Sequence, residues 1–140
     1  MKLIDTAVYF ILAVALLLAW LNATERKCAN KQIQSKVEMH QLIHAIELYK
    51  TDTGHDPTKL IDLSVNPPVP GWLGPYISEK ELVDPWGHAY RYVPILQSGQ
   101  IILYHLGADG EVGGDGALRD GFLLHSPEGT HEYIEPSVMR

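Results

Sequence analysis

A chain of 140 residues and 15.6 kDa has room for one modest domain with an appended helix. With 46% hydrophobic and 20% charged residues it can form a packed core, and wholesale disorder is excluded. A formal charge of -6 argues against nucleic acid as a partner, and the single cysteine, Cys28, excludes internal disulfides and multi-cysteine zinc modules.

The charge is unevenly spread. Residues 1–36 hold five basic and two acidic side chains, a net of +3, whereas residues 37–140 hold six basic and fifteen acidic, a net of -9. Between Asp5 and Glu25 no side chain is charged, and Ala7 to Leu21 reads AVYFILAVALLLAWL. Ala and Leu dominate and neither Gly nor Pro interrupts, so a helix is predicted. Including Leu3 and Ile4, the apolar run is just long enough for a hydrocarbon core of roughly 30 Å. A cleaved signal peptide is the competing reading, but no small-x-small site follows the run and the sequence continues helix-permissive. Asp5 is out of place here. It needs either a headgroup-level position near the helix N-terminus or a partner, because a carboxylate at the bilayer centre costs about 2.5–3.5 kcal/mol. Basic residues cluster after the span, which by itself would place the following domain in the cytoplasm.

From Lys31 the pattern turns amphipathic, with Met39, Leu42, Ile43, Ile46 and Tyr49 at helical spacing. Gly54 supplies a left-handed stop and Pro57 prevents resumption, so one helix over roughly 3–53 is predicted. His40 and His44 stand four apart, but no glutamate lies between them as a zinc protease requires, and a solvated polar face is the reading. Cys28 reads as a small helical residue rather than a lipidation or pairing site.

Residues 54–87 carry six prolines, which exclude long elements, although 58–63 suits one helical turn. Asp84-Pro85-Trp86-Gly87 is a turn feeding a strand at His88–Val93, and Ile101–His105 forms a second strand. This hairpin needs the helix face as the other wall of its core. Leu106 to Gly121 then packs six glycines and four acidic residues into sixteen positions. Such carboxylates repel one another unless neutralised, and the segment reads either as a calcium loop or as a plain solvated turn. It is neither an EF-hand, lacking the Glu at the twelfth position, nor a phosphate cradle.

Four motifs in order give these pieces a family likeness: Tyr49-Lys-Thr-Asp-Thr-Gly54 with Pro57-Thr58, Trp72-Leu-Gly-Pro-Tyr76, Asp84-Pro-Trp-Gly87 with Tyr90-Arg-Tyr92, and Leu106-Gly-Ala-Asp-Gly110 with Gly113-Gly114. Over roughly residues 37–121 the chain resembles the major (G-type) pseudopilins of bacterial type II secretion systems, in the type IV pilin superfamily. The resemblance implies an α+β fold, a long N-terminal helix on a small antiparallel sheet with a calcium-binding loop. It implies three parts: a transmembrane and filament-core helix over 1–24, its amphipathic continuation over 25–53, and a globular head over 54–140. Calcium ligands carried over are the carbonyls of Leu106 and Glu111 with Asp109, Asp115 and Asp120. Met1 and Asp5 receive assembly roles, the family's fifth-position carboxylate (Glu there, Asp here) pairing with the N-terminal amine of a neighbouring copy.

The implied function is structural, not enzymatic. The chain is expected to be an inner-membrane, single-pass subunit with a periplasmic head, polymerising to drive protein export across the outer membrane. Expected partners are copies of itself, minor pseudopilins, the inner-membrane assembly platform and membrane lipid, with no nucleic acid. Alternatives are a type IV pilus or DNA-uptake subunit, a membrane-tethered calcium-binding module, and a His/Asp hydrolase, for which no nucleophile motif is present. Residues 122–140 match nothing in the family pattern.

Overall fold

The computed structural model describes residues 2–95, 98–115, 118–128 and 131–134, with side chains described between Val8 and Glu128. One helix, α1 (Lys2–Thr53), accounts for 52 residues and so spans about 78 Å. Its two halves obey different rules. From Val8 to Leu21 every residue is exposed, including Phe10 at 71% and Trp20 at 63%, and α1 is long and apolar enough to cross a membrane. From Ser35 onward only one face is covered: Ser35, Met39, Leu42, Ile43, Ala45, Ile46 and Tyr49 are buried at the predicted spacing. His40, Gln41 and His44 lie on the open side, as the solvated reading expected. The helix stops where expected. Gly54 takes a φ of 83° and donates its N–H to the Lys50 carbonyl (2.9 Å), while Thr53 Oγ1 donates to the Tyr49 carbonyl (2.8 Å).

The proline-rich segment contributes two short 3-10 turns, Leu60–Leu63 and Glu79–Leu82, which press Leu60, Leu63, Ile77 and Leu82 into the core. Tyrosine hydroxyls fasten it: Tyr76 donates to Asp52 (2.8 Å) and Tyr92 to the Pro57 carbonyl (2.9 Å). Burial, reinforced by Asp56 and Asp62, pushes the Tyr92 hydroxyl pKa well up, so it remains a donor.

The head is completed by an antiparallel meander, β1 (Arg91–Ile95), β2 (Gln100–His105), β3 (Gly121–His125) and β4 (His131–Ile134), paired in chain order. Leu103 lies opposite Leu123, and Ile101, Leu103 and Leu123 turn inward onto α1. Phe122 stacks on Tyr104 on the other side, with ring centroids 5.2 Å apart.

Two expectations shift. The first strand begins at Arg91 rather than His88, because the His88 N–H is taken by the Asp84 carboxylate, Ala89 bridges to Val83, and the Tyr90 N–H goes to the Leu82 carbonyl (3.0 Å). It also runs through Pro94, which an edge strand tolerates. The stretch after Gly121 that resembled nothing supplies β3, the strand set beside β2 beneath the helix, and β4.

Leu42, fully buried, and Ile33, largely exposed, test this packing. Leu42→Ala should cost about 2–5 kcal/mol and Ile33→Ala no more than about 0.5, read by urea unfolding of the full chain in detergent micelles. Equal costs would contradict it.

Candidate functional site

The 106–120 segment connects β2 to β3, and its ends are held together because His105 and Gly121 face each other across the sheet. Helix α1 grips both ends. At the start, the Gly107 N–H donates to His105 Nδ1 (3.2 Å), which leaves the ring proton on Nε2, donated to Ser35 Oγ (3.0 Å); Ser35 in turn donates to the Gln32 carbonyl (2.9 Å). At the end, Gln32 Nε2 donates to the Arg119 carbonyl (3.0 Å). His105 is fully buried against Trp86 and Tyr90; burial lowers its pKa, against the pull of Asp84 and Glu38, and favours this neutral form.

Glycines permit the close folding. Gly107 has a φ of 62°, and a Cβ there would collide with the Leu118 carbonyl oxygen; at Gly114 (φ 91°) a Cβ would stand 2.8 Å from the same atom. The loop therefore doubles back with backbone on backbone.

The expected ligands fare differently. Asp120 is 1% exposed; its Oδ2 accepts the Gly113 N–H (2.8 Å), and its Oδ1 is buried with no hydrogen-bond partner among the described residues. Burial pushes its carboxyl above the ordinary range, the Gly113 N–H opposes this, and the charge of Asp109 adds to it. Asp109 is exposed and accepts the Glu111 N–H (3.2 Å). Glu111 and Asp115 are exposed, the Asp115 carbonyl accepting from Leu118, and Leu106 is half-buried. Among the described residues no three His, Cys, Asp or Glu side chains gather to hold a metal. An ion here would therefore draw on backbone carbonyls as well as Asp120 and Asp109, a donor set of oxygens that suits a hard cation. The orphaned, buried Oδ1 fits that use, since an unpaired buried carboxylate oxygen is costly. Asp5 lies within α1 with its side chain outside the described residues, and Met1 lies outside them entirely.

The sequence reading passed over two residues beside this loop. The buried Asp84 was read only as the start of a turn, and His88, read as strand, places Nδ1 3.2 Å from the Gly107 carbonyl oxygen. The only local signal is their spacing of four across Pro85-Trp86-Gly87.

Residues 22–120, from the outer half of α1 to the buried Asp120, match the family model described as type II secretion system (T2SS), protein G. The chain belongs to this family. The type II secretion system core protein G of Xanthomonas campestris is 46% identical over 83 residues, 57% of this chain and 57% of that one. Those of Vibrio cholerae and Pseudomonas aeruginosa are each 32% identical, over 64% and 57% of this chain and 65% and 61% of theirs. The matched region thus spans about three-fifths of these relatives' length. The protein G match ends where β3 begins, so β3 and β4 lie beyond it.

Gly107→Ala should destabilise the full chain by more than the about 1–2 kcal/mol of left-handed strain. Gly113→Ala, whose φ is 108° but whose Cβ meets open space, should cost that strain alone. Equal losses in thermal unfolding would show that the loop is not folded back on residues 118–119.

Proposed function

We propose that the chain is a structural subunit of a type II secretion pseudopilus, polymerising from the inner membrane to drive export of folded protein across the outer membrane. One observation carries this reading beside the family membership. A folded head is continuous with a helix whose first half is apolar on every side and is left uncovered by the described residues. Lipid covers that surface before assembly, and copies of the same helix cover it within the filament. Residues 1–24 form the membrane and filament-core part, 25–53 the continuation, and 54–140 the head, which lies on the periplasmic side. Asp5 pairs with the N-terminal amine of a neighbouring copy, which removes an uncompensated charge from an apolar bundle and penalises wrong registers. Minor pseudopilins and the inner-membrane assembly platform are the further partners, and the role is structural rather than enzymatic.

Calcium belongs to the same proposal: Asp109, Asp115 and Asp120, which do not gather in the structure as it stands, would close around it with the carbonyls of Leu106 and Glu111. When bound, it supplies the positive charge that the buried Asp120 oxygen lacks and offsets repulsion among the loop's carboxylates. The chain's own part is to hold the two loop ends together through Ser35 and Gln32.

The assembly reading is tested by producing the full chain with a type II secretion assembly platform. Filaments containing the chain should appear in electron micrographs, and Asp5→Ala should reduce them severely; persistent single molecules would contradict the proposal. For the ion, the full chain should melt higher in calcium than in chelator, and Asp120→Asn should abolish the difference. A wild-type chain that melts identically in both removes calcium from the proposal.

A further inference from the structure

The Asp84 turn is closed by its own carboxylate. Oδ1 accepts the N–H groups of Trp86 and His88, both at 2.9 Å, and the backbone of Asp84 and His88 closes the turn with an N–H···O bond of 2.7 Å. Asp84 is 4% exposed, and its Oδ2 is buried without a hydrogen-bond partner among the described residues, 3.9 Å from His88 Nδ1. The His88 imidazole is thereby fixed at its base and reaches across to the neighbouring loop. Its Nδ1 lies 3.2 Å from the Gly107 carbonyl oxygen, and because a carbonyl only accepts, Nδ1 donates. The same ring underlies Gly110, where an added Cβ would stand 3.4 Å from it. Gly107 (φ 62°) and Gly110 (φ 71°) are both left-handed, so the backbone curls around the imidazole.

Peptide planarity gives these contacts a directional consequence. In a trans peptide the C=O and N–H point opposite ways. The Gly107 N–H is directed at His105 Nδ1, so the Leu106 carbonyl, in the same peptide plane, is turned away from His105. The next plane is fixed by its own carbonyl, that of Gly107, directed at His88. Two histidines therefore set two successive peptide planes, Leu106–Gly107 and Gly107–Ala108, one peptide short of Asp109. Gly107 is the residue most in need of such fixing, since glycine has the widest choice of conformations.

We propose that His88, anchored by Asp84, is a positioning residue for the ion loop, holding the 107–110 turn so that the Leu106 carbonyl and Asp109 are presented together. It touches the loop backbone and takes no place among the ion's ligands. This inference rests on the calcium reading above and adds a residue from outside the loop to it.

The test is calcium binding by the full chain in detergent micelles, measured by calorimetric titration, with melting in chelator as the control. His88→Ala should weaken calcium affinity by about ten-fold or more, the usual effect of removing a group that orients a ligand. Melting of this variant in chelator should stay close to wild type. His88→Asn places an amide N–H₂ at the reach of Nδ1 and should restore affinity to within about two-fold, whereas His88→Asp, which only accepts when ionised, should not. Wild-type affinity in His88→Ala, or equal behaviour of the Asn and Asp variants, overturns the positioning role and leaves the ion site standing. A wild-type chain that binds no calcium brings down the ion reading, and the role of His88 falls with it.

Discussion

A helix whose first half is apolar on every side and whose second half is apolar on one side has to occupy two surroundings at once. The second half meets its requirement inside the molecule, through Met39, Leu42, Ile43, Ile46 and Tyr49 against β2, β3 and the two 3-10 turns. The first half, Val8 to Leu21, has no such wall among the described residues. Burying that surface is worth about 25 cal/mol per Å² of apolar area, a sum too large for the chain to leave exposed to water. The membrane and filament proposals follow from where that surface goes.

The same helix also organises the head's acidic loop. Ser35 and Gln32 sit one and two turns before the first large core residue, Met39, and through His105 and the Arg119 carbonyl they fasten the two ends of a fifteen-residue connection. At its far end the carboxylate of Asp120 is buried with one oxygen unsatisfied among the described residues. In the proposed filament, a loop fixed at both ends and stiffened by the proposed cation would suit contacts between neighbouring heads better than a free one.

What the sequence disclosed was local. The extent of α1, its stop at Gly54 and the turn at Asp84 are written in neighbouring residues, where periodicity, a left-handed glycine and an Asp-Pro pair leave few alternatives. β3 and β4 were not legible, because a short run such as Phe122-Leu123-Leu124 shows its inward face only once Leu103 lies opposite it. The first strand, expected to end at Val93, runs on through Pro94, which its place at the sheet edge permits. In the loop, composition suggested several equivalent carboxylates; which of them is buried depended on the backbone of residues 107 and 118 meeting, a long-range contact. The importance of His88 was hidden for the same reason, since its partner at Gly107 is nineteen residues away.

The most direct test of this picture is the chemical accessibility of the leading helix in intact membranes, in a full chain carrying Cys28→Ser. Leu16→Cys should resist a water-soluble maleimide until the membrane is dissolved, while Val65→Cys on the exposed head should react at once. Prompt reaction at residue 16 in intact membranes would show that the apolar half of α1 lies in water, and would contradict the account at its foundation.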